Sequence, residues 1–201
     1  MPAACRTPPH SLVRAFALAC ALLFALSGCA PGALQREAGK VKLPTADSAF
    51  NVAGRLSARH GADALAASFR WHHEAERDQL EFTSPLGQTV AVLSGNSEGV
   101  RLQAADGRVL SADNWAALTE RGLGWRLPVD GLAFWIQGAP RAGAPYTVEP
   151  GESDRVGVLR QDGWTIVYLA YAEDQEPVAR PSRMTLSYPD IELRLAVDSW
   201  H

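Results

Sequence analysis

Hydrophobic positions in this 201-residue chain recur at two periods, and the change between them marks the architecture. From Phe50 onward the period is two. Phe50, Val52, Gly54, Leu56 and Ala58 alternate with polar or small residues until Gly61 turns the chain. Leu65, Ala67, Phe69 and Trp71 then alternate with Ala66, Ser68, Arg70 and His72. Side chains of a strand point alternately to opposite faces, so each run predicts a strand with one buried face. Further strands are expected at 80–82, 89–93, 100–104 and 108–111, the last two joined by the hairpin signal Asp106-Gly107. Residues 113–137 break the rhythm. Asp113 can cap a short helix that carries Trp115 and Leu118 and ends at Gly122. Pro128 suits the first turn of a second helix, in which Leu132, Trp135 and Ile136 share a face. Strands resume at 155–161 and 164–171 across Asp162-Gly163, and at 184–188 and 191–197 across Pro189-Asp190. Nine or ten short strands punctuated by turns predict a barrel or sandwich, with the helices covering one mouth of the sheet.

The N-terminus follows another logic. Arg6 and Arg14 precede twelve apolar residues, 15–26. As a helix they rise about 18 Å, too short for a hydrocarbon core of about 30 Å. A basic start, a short apolar stretch and small residues after it read as a secretory signal. Leu26-Ser27-Gly28-Cys29 resembles the bacterial lipobox, whose cysteine thiol receives a diacylglycerol and becomes the new N-terminus. The chain therefore divides into a signal peptide (1–28), a lipidated tether (29–49) rich in Pro and Gly, and a folded domain (50–201). Cys29 is expected to carry S-diacylglycerol and N-palmitoyl groups, with no other cofactor. By the sorting rule of enteric bacteria, Ala30 after the cysteine implies the outer membrane. Two or more acyl chains anchor stably, because each buried methylene contributes about 0.8 kcal/mol.

Charge narrows the function. The formal net charge is −3, and cleavage before Cys29 removes two arginines and no acid, leaving −5. No basic run exists to bind nucleic acid. The three cysteines, at 5, 20 and 29, have neither metal-ligand spacing nor a nearby histidine. Gly95-Asn96-Ser97-Glu98-Gly99 fits the hydrolase pattern Gly-x-Ser-x-Gly, but a strand is expected after it and His201 is the only later histidine. His72 and His73 fall on opposite faces of one strand and read as solvent-exposed. Gly122 and Gly124 lack the frame of a nucleotide fingerprint, and Glu74 with Glu76 reads as solvated surface. No enzyme and no metal site is expected.

Six ordered stretches behind the lipobox carry a family resemblance. They are Gly54-Arg55-Leu56, Phe69-Arg70-Trp71, Ser84-Pro85-Leu86-Gly87, Leu127-Pro128-Val129 with Trp135-Ile136-Gln137-Gly138, Gln161-Asp162-Gly163-Trp164, and Asp198-Ser199-Trp200. Together they resemble the LolB family of outer-membrane lipoproteins. The resemblance implies a mainly β fold: an incomplete antiparallel β-barrel of about 10–11 strands, covered by short helices and enclosing an apolar cavity. It implies a monomeric receptor that accepts acylated lipoproteins from the periplasmic carrier LolA and inserts them into the outer membrane. It also places a membrane-insertion loop at Leu86, between Pro85 and Gly87. Proline fixes φ and glycine frees it, so a tight displayed turn is reasonable there. Phe69, Trp71, Phe82, Trp135, Ile136 and Tyr168 are the expected lining for acyl chains. The rival expectation is a structural or assembly lipoprotein, using the same sheet with a filled core to bind another protein.

Overall fold

In the computed structural model, which describes residues 41–75, 77–172 and 179–201, eleven strands form one antiparallel sheet. Cys29, the signal segment and Glu76 lie outside the described residues. The strands are β1 (Phe50–His60), β2 (Asp63–Glu74), β3 (Arg77–Thr83), β4 (Thr89–Asn96), β5 (Gly99–Ala104), β6 (Val109–Ala112), β7 (Tyr146–Pro150), β8 (Val156–Gln161), β9 (Trp164–Tyr171), β10 (Pro181–Tyr188) and β11 (Ile191–Trp200). Their order is β6-β5-β4-β3-β2-β1-β11-β10-β9-β8-β7. Two meanders thus meet where the first strand pairs with the last, fastened at its end by reciprocal backbone bonds between Asn51 and His201. The edges β6 and β7 do not pair, so the barrel is incomplete.

Alternation along the strands sets the two faces. Inward positions are apolar: Trp71, Leu80, Leu93, Leu159, Ile166, Met184, Leu186 and Leu193 join one continuous core. The outer face carries exposed ion pairs such as Arg55–Asp198 and Arg194–Glu192. Pairs of this kind contribute roughly 0–1 kcal/mol each, so they mark the wet face rather than hold the fold. Gly54 shows why the inner face tolerates a large aromatic group beside β11. A Cβ there would meet the Ala196 carbonyl at 2.3 Å and the Phe69 ring at 3.0 Å.

Two helices, α1 (Trp115–Leu123) and α2 (Val129–Trp135), lie between β6 and β7 in the chain. They pack on the concave face. The Trp115 ring rests on Gly95, where any Cβ would stand 2.4 Å from it. The Tyr168 hydroxyl donates to the Trp135 carbonyl at 2.8 Å. Buried Thr119 pins the link between the helices: its hydroxyl donates to the Trp115 carbonyl and accepts from the Leu127 amide at 2.9 Å.

Three local expectations need correction. The cap of α1 is Asn114, not Asp113; its side-chain oxygen accepts from the Ala117 amide at 2.9 Å. The helix runs past Gly122 and stops at Gly124, which takes the left-handed conformation (φ 83°). His73 is tucked in rather than solvent-exposed: Phe50 stacks on it at 4.8 Å and Asp78 bonds it at 2.7 Å. Strand β7 was not visible in the periodicity, because Pro145 and Pro150 bracket a five-residue edge strand.

Successive connections of the meanders fall at alternate ends of the strands. One end carries the β1–β2, β3–β4, β5–β6, β8–β9 and β10–β11 turns; we call it the mouth. The opposite end, the foot, carries the β2–β3, β4–β5, β7–β8 and β9–β10 connections and residues 41–49, while the β6–β7 segment with its helices runs from foot to mouth. There the Lys42 amide donates to the Asp154 carbonyl at 2.9 Å. Asp47 is clamped twice: its amide donates to Oε1 of buried Gln137 at 2.9 Å, and its carboxylate pairs with Arg180.

Candidate functional site

The β3–β4 connection is built to display one side chain. The Gly87 amide donates to the Ser84 carbonyl at 2.8 Å, and the Ser84 amide donates to the Gln88 carbonyl at 2.8 Å. Pro85 supplies the fixed φ of the second turn position, and Gly87 supplies the positive φ (80°) that closes it. Leu86, held between them, is 88% exposed. Burying such a side chain is worth about 1.5–3 kcal/mol, so a tight turn that keeps it in water presents an apolar group to a partner.

The expected acyl-lining residues fall in two groups. On the first meander Phe69 lies directly opposite Phe82, and Trp71 opposite Leu80. The Trp71 indole donates to Asp78 at 2.7 Å, sharing that carboxylate with His73. On the second meander Trp135, Ile136 and Tyr168 gather at the end of α2. The Trp135 indole donates to the Gln161 side-chain oxygen at 2.8 Å. Burial, and secondarily the neighbouring Tyr171, pushes the Tyr168 phenol well above its ordinary pKa. Both side-chain polar atoms of this second group have protein partners, and Trp135 and Ile136 are at most 1% exposed. Phe82 alone of the six is partly exposed.

That difference belongs to a gradient that sequence reasoning missed. Trp71, Leu80, Leu93, Leu102 and Leu110 stand opposite one another in a single rung from β2 to β6, and of these Trp71, Leu80 and Leu93 are buried. Leu102 and Leu110, toward the β6 edge of that rung, and Leu65, Phe82 and Ala91, nearer the mouth, pack on that core yet remain partly exposed. The apolar face therefore opens in two directions, toward the β6 edge and toward the end that displays Leu86. A signal did exist: a nine-residue and a seven-residue helix, about 14 Å and 10 Å long, cannot cover the inner face of so many strands.

Polar concavities lie elsewhere. One of about 820 Å³ near the foot is lined by Arg77, Arg101 and Arg121 together with Glu74, Glu98 and Asp113. Its mixed charge makes it a poor place for a hydrocarbon chain. Ser97 sits in the turn between β4 and β5 and is followed by a strand, without the helix that a nucleophile elbow requires.

With this geometry in view, residues 48–200 match the family described as Outer membrane lipoprotein LolB. The chain belongs to the LolB family. It is 39% identical over 188 residues to the outer-membrane lipoprotein LolB of Thiobacillus denitrificans, covering 94% of this chain and 98% of that one. The LolB of Chromobacterium violaceum is 36% identical, with 93% and 98% covered, and that of Nitrosomonas europaea 35%, with 89% of each. Among solved structures, a LolA superfamily protein of Nitrosomonas europaea aligns at a TM-score of 0.47 and 10% identity, covering 82% of this chain and 89% of that one. LolB membership and the open eleven-stranded sheet agree on fold class.

Proposed function

We propose that the protein is an outer-membrane lipoprotein receptor, acylated at Cys29 and facing the periplasm. It accepts acylated lipoproteins from the carrier LolA and inserts them into the inner leaflet of the outer membrane, working as a monomer. The observation that carries this reading is the 88% exposure of Leu86 in the turn that follows partly exposed Phe82.

The work is done by differential burial rather than by bond chemistry. A sixteen-carbon chain removed from water gains on the order of 12 kcal/mol at about 0.8 per methylene. Cargo bound so firmly is not released to water, so it passes from one apolar face to the next and then to the bilayer, where burial is largest. In this mechanism an incoming chain first meets Leu65, Phe82, Leu102 and Leu110, with Phe69 behind them. Trp71, Trp135, Ile136 and Tyr168 lie deeper, buried, and back that face as its packing. Pro85 and Gly87 hold Leu86 forward to enter the lipid interface. The complete enclosure of Trp135 and Ile136 favours a second reading, a structural lipoprotein with a filled core. Such a protein retains no co-purified lipid.

The testing experiment is Leu86→Glu in a liposome assay that scores acceptance and insertion separately. The variant accepts cargo at near-normal rate and fails to insert it, because a carboxylate is repelled by anionic head groups. Its stability stays within about 0.5 kcal/mol, as is usual for an exposed loop substitution. Loss of acceptance, or unfolding, makes Leu86 a packing residue and overturns the reading.

A further inference from the structure

Exposed large apolar side chains gather at the mouth. Leu86, Val90 and Val109 stand there on the first meander, and Tyr146 and Tyr188 on the second. Tyr146 begins β7 and Tyr188 ends β10, so the two flank the Asp162-Gly163 turn between β8 and β9. The Tyr188 ring lies 5.2 Å from that of buried Trp164 and covers Gly163, where a Cβ would stand 2.8 Å from it. Trp164 in turn lies 6.3 Å from Trp135, so a series of rings leads from the core to the rim. Tyr146 shares with Trp164, Asp162 and Gly163 the wall of a cleft of about 340 Å³. Both rim tyrosines are 44% exposed, whereas Tyr168 and Tyr171 turn their hydroxyls onto backbone carbonyls of the body.

We propose that Tyr146 and Tyr188 form a second footing on the bilayer, across the mouth from Leu86, and that the two footings together fix how the mouth meets the membrane. The inference rests on the reading of Leu86 as the group that enters the lipid interface. A lone leucine is a single point about which the body can still tip, and a second point removes that freedom. The β3–β4 and β8–β9 turns lie six strand spacings apart, about 29 Å along the sheet at ~4.8 Å per strand. That spacing argues for a bilayer over a protein, because the anchors of a protein interface cluster near its centre. A bilayer meets both sides of a rim at once. The side chains fit as well: a phenol is an apolar ring with a polar tip, and tyrosine is enriched where one end is in hydrocarbon and the other in water. Charge is kept off both footings. Ser84-Pro85-Leu86-Gly87-Gln88 carries no ionisable group, and Asp162 is neutralised by Arg141 at 2.9 Å. Asp63 and Asp190 belong to the β1–β2 and β10–β11 turns, which stand between the footings. Contact is therefore made by burial rather than by charge attraction, and salt leaves it intact.

The test uses the full acylated protein, reconstituted through Cys29 in vesicles of phosphatidylethanolamine and phosphatidylglycerol. With Tyr146→Ser and Tyr188→Ser combined, cargo is accepted from the soluble carrier at the parent rate but deposited roughly fivefold more slowly, at low and high salt alike. With Tyr146→Trp and Tyr188→Trp combined, each ring keeps a polar edge and deposition returns to the parent rate. Deposition by the serine pair at the parent rate overturns the proposal. So does a matching loss of acceptance, which makes the tyrosines a contact with the carrier instead. A nitroxide on Tyr146→Cys gives a second reading that does not depend on the packing of Tyr188 against Trp164. In the vesicles it is expected to be more accessible to dissolved oxygen than to a water-soluble nickel chelate, and the reverse order overturns the proposal. Failure of the underlying reading shows separately, as normal deposition by Leu86→Glu.

Discussion

On β8–β11 the inward residues Leu159, Ile166, Met184, Leu186 and Leu193 keep no more than 1% of their surface. On β2–β6 the inward residues Leu65, Phe82 and Ala91 toward the mouth, and Leu102 and Leu110 toward the β6 edge, remain partly exposed. Both halves use the same alternation and the same kinds of side chain. What differs is the cover. The second half lies under α2, tied to it through Tyr168 and Gln161. The first half lies under α1, whose Trp115 seats on Gly95 and whose Gly122 end just meets Leu102 and Leu110. A fully covered face has no burial left to gain and serves the fold. A partly covered one still has apolar area that a hydrocarbon chain can remove from water.

The widest gap between the halves is expected in stability. Ile166→Ala opens a void in the closed half and costs roughly 2–5 kcal/mol, with little effect on bound fatty acid. Paired denaturant melts and fluorescent fatty-acid titrations check both statements. Phe82→Gln is expected to give the opposite balance: a stability loss nearer 1 kcal/mol, because the ring is already partly wet, and a clearly weaker acyl affinity. Should the two variants lose stability alike and bind alike, the halves are energetically one core. The smallest effect lies in alkali. Burial pushes the Tyr171 phenol up to about 12, although the Arg155 guanidinium beside it pulls the other way, and its hydroxyl donates to the Val156 carbonyl at 2.7 Å. A phenol with a raised folded-state pKa supports folding fully below about pH 10 and loses that contribution as pH rises through about 12. Melts between pH 9 and 12 are expected to slope down in the parent and less steeply in Tyr171→Phe.

Much of this was legible in the sequence because strand alternation is a local property. Ten of the eleven strands and both helices follow from period and punctuation, and Pro-Leu-Gly between two strands foretells the displayed Leu86. What was not legible depends on pairing. Asp113 and Asn114 are equally good caps by type, and only the bond to Ala117 tells them apart. His73 looks exposed until the β2–β3 register brings Asp78 opposite it and β1 lays Phe50 on its ring. The graded burial of the first meander depends on where α1 and α2 come to rest, and no local pattern encodes that.

The partly covered face is best tested by photo-crosslinking. A diazirine-bearing palmitate, bound to the folded domain and activated, is mapped by peptide mass spectrometry. Label is expected on β3, β5 and β6 at Phe82, Leu102 and Leu110, and not at Ile166, Leu186 or Leu193. Label confined to the closed half, or none above the level given by unfolded protein, would mean that the open apolar face is not where an acyl chain is held.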